Sequence, residues 1–479
     1  MVASNIFGII TVYFLALIAI AYFTSKGSNS ENFFTADKKA PWFVVAFGMI
    51  GASLSGVTFI SIPGEVGTAQ FSYFQMVLGY LAGYLVIGLV LMPLYYRLHL
   101  ISIYTYLEQR FGFWSYKTGS FFFLLSRTIG SAFRLYLVAV VLDLTIFADL
   151  GIPFWVNVLF TIALIWVYTF KGGMKTIIWT DTFQTFFLVS AVAISVVLIA
   201  QKLDLDFPNL VTTVKNSNYS QIFFWDWRDD KFFFKQFFAG MFIAITMTGL
   251  DQDLMQKNLA CKNIQEAQKN MFSFSIVLVI VNFLFLTLGA LLYIYANSEN
   301  ITIPIRTDQL YPLLALKLNS FGTLAAIFFL LGIIASSYAS ADSALASLTT
   351  AFCIDFLQFS KRQEDERQRL KFWVHIGFSF LLFVVIMVFQ AINDASVIKA
   401  VFKVAGYTYG PLLGLFAFGL FNKIAVKDKF VPLVCILSPC ICYVLNINSV
   451  EWLNGYKFGF ELLIINGAMT FGGLLLIRK

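Results

Sequence analysis

Charge is what this sequence has least of. Asp, Glu, Lys and Arg make up 12% of its 479 residues, against 59% hydrophobic and 18% aromatic. Soluble domains carry about 25% charged residues, so a soluble multidomain chain is excluded. Apolar runs of about 20 residues recur along the whole length, which describes an all-α polytopic membrane protein. Histidine is nearly absent: His99 and His375 are the two, and neither has metal-ligand company in the sequence. Five cysteines (Cys261, Cys353, Cys435, Cys440, Cys442) sit in or beside apolar runs without framework spacing, which argues against disulfides. A net charge of +7 raises nucleic acid as a partner. The basic residues lie mostly in short loops between apolar runs, however, so they read as topology signals, and no nucleic-acid module is visible. The run at about 4–24 is long for a signal-peptide core and has neither a basic n-region nor a small-residue cleavage site, so it reads as a retained helix.

What is abundant is apolar sequence, and it falls into about 13 spans. They lie at roughly 4–24, 41–63, 72–97, 119–147, 153–170, 176–201, 234–260, 272–297, 321–357, 371–391, 395–421, 429–447 and 457–477. Basic residues test that count independently. Lys26, Lys38 and Lys39, then Arg97, Arg110 and Lys117, then Lys171 and Lys175, then Lys257, Lys262 and Lys269, then KRQEDERQRLK, then Lys423, Lys427 and Lys429 fall on alternate connections. The short loops between them, 64–71, 148–152, 392–394 and 448–456, carry no Lys or Arg. The positive-inside rule then puts the N-terminus outside and the C-terminus inside, in agreement with an odd count. Two longer outside loops remain. The one at 298–320 holds Arg306 and Lys317, and the one at 202–233 clusters aromatics as an interfacial segment does.

The chain is organised around 321–357, FGTLAAIFFLLGIIASSYASADSALASLTTAFCIDFL. Ser336, Ser340, Ser343 and Ser347 are spaced by 4, 3 and 4, which stripes one helix face with hydroxyls. Two readings stand side by side: close helix packing, which favours small residues, or ligation of a small hard cation. Asp342 within the same span favours the second, since an intramembrane carboxylate is a functional candidate by default.

Other polar intrusions follow the same logic. GMIGASLSGVTFISIPGE crowds glycine and hydroxyls into the second span. This predicts either a close-packed helix or a broken one whose freed carbonyls can hold a cation. Five spans later, TMTGLDQ interrupts another apolar run. Two interrupted helices five spans apart are what an inverted five-plus-five repeat produces, with the site between the halves. Asp181 lies about 9 Å into its span if the helix starts at the inside end. It reads either as a site residue or as an interfacial carboxylate paired with Lys171 or Lys175. Arg127 and Arg134 are seven residues apart on one helix face; Arg134, near mid-span, needs a partner, either a substrate carboxylate or a neighbouring Asp. Asp143 reads as interfacial.

These residues carry a family resemblance. ASLSGVTFISIPGE, YKTGSFFFLLSRTIGSAFRLYL, GGMKTIIWTDTFQ, TGLDQDLMQKNLACKNIQEAQ and ASADSALASLTTAFCIDF, in this order and spacing, resemble the sodium:solute symporter family over most of 41–421. The resemblance implies a LeuT-like five-plus-five inverted repeat with broken first and sixth core helices. Its divisions would be 1–40 (an extra helix and inside loop), 41–201 (first repeat), 202–233 (outside loop), 234–421 (second repeat) and 422–479 (two further helices).

It also implies a sodium site made of the Gly51 and Leu54 carbonyls, the Ser336 backbone oxygen and the Ser340 side chain. Ala339 stands where the family usually has a hydroxyl, so a backbone carbonyl or water would serve there. A second sodium would use Asp181, Asp342 and Ser343, which leaves one or two ions open. The substrate cavity would be lined by Ser53, Ser55, Thr58, Gln75, Arg134 and Asp251, with Arg134 at the position that holds a sialic acid carboxylate.

The function so implied is a symporter, not an enzyme, in the plasma (inner) membrane. It imports a small, carboxylated, sialic acid-like solute with co-transported sodium by alternating access. A neutral sugar, another small solute or proton coupling are the alternatives. The partners are the solute, sodium and the lipid bilayer, with no nucleic acid and no obligate protein partner. Among other classes, an intramembrane aspartyl protease wants a GxGD-type segment that this chain lacks, and a membrane sensor is expected to carry a cytosolic partner-binding tail. A channel would show no saturable, solute-dependent current.

Overall fold

A computed structural model describes residues 3–24, 40–143, 147–148, 150–169, 173–392 and 397–479. Lys26, Lys38, Lys39, Lys171 and residues 393–394 of one predicted loop lie outside them. The described chain is helical, with two isolated backbone bridges, Ala40 to Cys261 and Val426 to Arg478.

The first half runs α1 (Ala3–Thr24), α2 (Trp42–Ser53), α3 (Gly56–Ala69), α4 (Tyr73–Arg97), a short α5 (Thr105–Arg110), α6 (Phe113–Leu142), α7 (Phe154–Thr169) and α8 (Gly173–Lys202). An amphipathic α9 (Phe207–Asn216) follows in the long loop, capped by the Asp206 carboxylate on the Asn209 N–H. The second half is α10 (Phe233–Gly249), α11 (Gln252–Leu259), α12 (Ile264–Ser298), α13 (Gly322–Phe356), α14 (Glu364–Ile392), α15 (Val397–Thr408) and α16 (Gly410–Phe421). Then come α17 (Val431–Ile447) and α18 (Leu462–Leu476).

Seven of these helices are long and apolar enough to span a membrane, three more spans are bent pairs, and three are shorter apolar helices. They occupy the thirteen expected places. The bent pairs are α2 with α3 at 57°, α10 with α11 at 64° and α15 with α16 at 46°. The first two are the broken first and sixth core helices of a five-plus-five architecture, so the continuous-helix reading of the glycine-rich span does not hold. The third departs from the sequence reading, in which 395–421 is one straight span. Gly410 and Pro411 stand at its corner, and proline cannot donate the bond that would continue the ladder.

Burial shows what is central. The most apolar window of α13 is 78% buried inside the protein, and every residue from Phe329 to Ala351 is buried. In α14 the corresponding share is 28%, so its apolar surface faces lipid. The hydroxyl-striped helix is thus the post against which α8, α2 and α6 pack. Glycines close the other main contact. Gly79 on α4 meets the Phe237 carbonyl of α10 and Gly240 on α10 meets the Met76 carbonyl of α4, and neither site leaves room for a Cβ.

Candidate functional site

The site grows out of the first break. Leu54 N–H is the last to reach back, to Ile50 O at 2.7 Å, and the ladder restarts with Phe59 N–H on Ser55 O at 3.1 Å. Leu54 (φ −86°, ψ 74°) and Ser55 (φ −69°, ψ 174°) leave helical geometry between them. Carbonyls 51–54 are therefore released from helical bonding and free to face a cation. Two neighbours hold the break in place. Thr185 of α8 accepts from Gly51 N–H at 2.9 Å, and Gly56 lies so close to Ser337 of α13 that a side chain there would collide.

A cavity opens beside the break, between α2/α3, α4, α6, α10 and α15. Ser53, Ser55 and Thr58 line it from the broken helix, Arg134 from α6, Thr248 from α10 and Asn282 from α12, with Tyr73, Tyr80, Tyr84 and Phe402 supplying ring surfaces. Of the predicted substrate set, Ser53, Ser55, Thr58 and Arg134 are brought together here. Two are not. Gln75 is bonded to the long loop that follows α9, donating to Lys231 O at 2.8 Å and accepting from Phe224 N–H at 3.2 Å. Asp251 is buried behind the cavity, where it caps α11 through Asp253 N–H and accepts from Tyr409 OH at 2.5 Å.

The buried charges sort themselves into pairs. Arg127, fully buried, pairs with Asp253 and has Asp251 at 4.0 Å. Asp253 also accepts from the Ser343 hydroxyl. Lys257, with a side chain 1% exposed, lies 2.5 Å from Asp181 Oδ2. This corrects two expectations at once. Lys257 is not a loop charge reporting topology but an interior ammonium, and Asp181 is buried and pairs with Lys257 rather than Lys175, while Lys171 lies outside the described residues. The reason is the 64° bend, which turns α11 back into the protein. Arg134 makes no ion pair among the described residues; its Nη1 donates to Ser340 Oγ at 3.0 Å. A guanidinium that lines a cavity without a carboxylate keeps donors that an anion can accept from.

Of the expected sodium ligands, Gly51 and Leu54 stand at the break, and α13 passes it with Ser336 and Ser337 beside Gly56. Ser336 Oγ is turned to Ile333 O at 3.0 Å, which leaves the Ser336 backbone oxygen as its expected contribution. Ala339 and Ser340 lie one and the same turn further along the buried face of α13. Of the expected second set, Asp181 pairs with Lys257, Ser343 donates to Asp253, and Asp342 Oδ1 takes the Ser343 N–H at 2.5 Å. Asp253, Lys257, Thr185 and Tyr409 are the residues that the sequence reading missed. The spacing of Asp253 and Lys257 from Asp251 along one apolar run could have marked two of them.

At the end of the bundle that the basic loops predict to be outside, Glu65 of α3 and Lys399 of α15 form an ion pair of 2.7 Å beside Thr307. Burial pushes the neighbouring Asp308 carboxyl above its ordinary range, while Oδ2 accepts from Val397 N–H. At the other end of α13, the Asp355 carboxylate accepts from Ser102, Ser120 and Tyr116, and Lys117 donates to its backbone carbonyl.

A profile described as the sodium:solute symporter family matches residues 33–427. The sodium/sialic acid symporter NanT of Aliivibrio fischeri is 26% identical over 96% of this chain and 91% of its own length. The sodium/sialic acid symporter SiaT of Proteus mirabilis is 24% identical over 89% and 87%. The human sodium/iodide cotransporter is 25% identical over 82% of this chain and 61% of its own. In fold, the chain resembles a substrate-bound, outward-open Na+-coupled sialic acid symporter with a TM-score of 0.83 at 20% identity, over 99% and 98% of the two chains. It resembles the nucleobase-cation-symport-1 transporter Mhp1 at 0.55 and 12% identity, over 92% of each chain.

Proposed function

The chain belongs to the sodium:solute symporter family, and from that premise we propose that it imports a carboxylated sugar of the sialic acid kind together with sodium. The observation that carries the reading is Arg134, which lines the cavity without a carboxylate of its own. Around it, the hydroxyls of Ser53, Ser55, Thr58 and Thr248 and the amide of Asn282 are hydrogen-bonding groups suited to a polyhydroxylated ring. Phe402 and Tyr73 offer apolar faces for its carbons. Two relatives matched over most of the chain carry sialic acid in their names, which supports the same choice.

Sodium binds where the released carbonyls of Gly51 and Leu54 meet Ser336, Ala339 and Ser340. Arg134 joins the two sites. While it donates to Ser340 Oγ, its positive charge opposes a sodium ion on that oxygen. A solute carboxylate draws the guanidinium toward the cavity and releases the hydroxyl, so each ligand raises the affinity for the other, as linkage requires. The bundle that carries the broken helices then rocks to release both ligands inside. The N-terminus lies outside and the C-terminus inside the plasma (inner) membrane, as the basic loops indicate. Each positive charge carried inward across 100 mV contributes about 2.3 kcal/mol to accumulation, and an anionic solute cancels one of them.

Thermal unfolding of the purified protein tests the reading. Sodium, and neither potassium nor lithium, raises the midpoint, and N-acetylneuraminic acid raises it further only with sodium present. An increment from neutral sugars with none from sialic acid would replace the carboxylate assignment.

A further inference from the structure

The Asp181 carboxylate, expected to hold a second sodium, already holds a cation. Lys257 Nζ lies 2.5 Å from Asp181 Oδ2, and both side chains are sealed from solvent at 1% and 0% exposure. An ammonium at that distance fills the position a metal ion would take on the same oxygen. The Asp253 and Asp342 carboxylates add to the negative field on Lys257 from α11 and α13. The third expected ligand is turned away, since the Ser343 hydroxyl donates to Asp253.

Asp181 Oδ1 has no hydrogen-bond partner among the described residues, so it is the oxygen of this carboxylate left for another cation. A sodium ion there would share a single carboxylate with an ammonium that cannot leave. Two like charges would then face each other in a water-poor interior, where screening is weakest.

We propose that Lys257 is a tethered ammonium standing in for a second sodium, so that each transport cycle carries one sodium ion, bound at the first broken helix. The lysine moves with α11 and is not released. Resting on the carboxylated solute proposed above, the consequence is electroneutral symport: one sodium and one monoanion cross together.

The first test needs no solute. Equilibrium binding of 22Na+ to the purified full-length protein gives one site per molecule in the wild type and two in Lys257→Gln, where Asp181 is freed. Two sites in the wild type, or one still in a folded Lys257→Gln protein, would overturn the proposal. Should Lys257→Gln fail to fold, the wild-type count decides alone, and the double variant Asp181→Asn with Lys257→Gln, which removes both charges together, retains the fold and the single site. In wild-type proteoliposomes, uptake of N-acetylneuraminic acid shows a Hill coefficient for sodium of about 1 and no change in rate when a potassium diffusion potential is imposed. Uptake driven strongly by that potential would overturn the single-ion cycle. Absence of sialic acid uptake beside a single 22Na+ site would fall on the solute assignment instead.

Discussion

Arg134 and Ser340 meet across the wall of the cavity, with Nη1 of one 3.0 Å from Oγ of the other. The side chain proposed to read the solute thus touches the oxygen proposed to bind the ion. No intermediary is needed to couple the two sites.

Ser340→Ala removes that shared oxygen. The sodium concentration for half-maximal uptake rises by about tenfold or more, the equivalent of losing one hydrogen bond to a charged group. Uptake measured against a sodium series checks this, and an unchanged sodium requirement would sink the site.

Arg134→Ala abolishes uptake of a carboxylated solute while the unfolding midpoint without ligand stays close to wild type, because no ion pair is lost. Its sodium affinity in the absence of solute increases, since the opposing guanidinium is gone. Isothermal titration with sodium reads the second effect, which a purely structural arginine would not produce.

Asp253→Asn behaves differently. It leaves Arg127 without its closest carboxylate in a fully buried position, and breaking such a pair costs about 3–5 kcal/mol. The variant unfolds at a markedly lower temperature with or without ligand. Stability equal to wild type would show that Asp251, 4.0 Å from Arg127, suffices alone.

Lys399→Met at the outer end costs less than about 1 kcal/mol, because the lysine is 56% exposed and such pairs are weak. Its effect is conformational: α3 and α15 are no longer tied above the cavity. A cysteine placed at Gln236, which lines the outer vestibule, is labelled faster by a membrane-impermeant maleimide in this background. Equal labelling rates would make the pair incidental.

The fold was legible because lipid imposes length and apolarity on every span, and the thirteen runs stand out against loops rich in lysine. Two of the three bends were legible from glycine and hydroxyls in mid-run. The third was not, because the run around Gly410 and Pro411 stays apolar on both sides. The centrality of α13 followed from its hydroxyl stripe and Asp342. Lys257 was misread because Leu254, Met255 and Gln256, between it and Asp253, give no sign that the helix has turned inward; only the bend moves the lysine from the loop to the core. Asp251 and Gln75 were misplaced for a related reason. Residue type shows what a side chain can bond, but Tyr409 and Lys231, which claim them, are over 150 residues away in the chain.

The two ends of the cavity-bearing bundle are fastened by unlike chemistry. Glu65 and Lys399 hold the outer end by formal charge, whereas three neutral hydroxyls hold Asp355 at the end of α13 that the basic loops put inside. Dissolved salt shortens the Debye length to about 8 Å at physiological ionic strength and about 3 Å at 1 M, and it weakens exposed ion pairs while sparing buried neutral contacts. Saline surroundings therefore weaken the Glu65–Lys399 tie and leave the Asp355 hydroxyl cluster as it is, so the two ends of the bundle answer differently to salt.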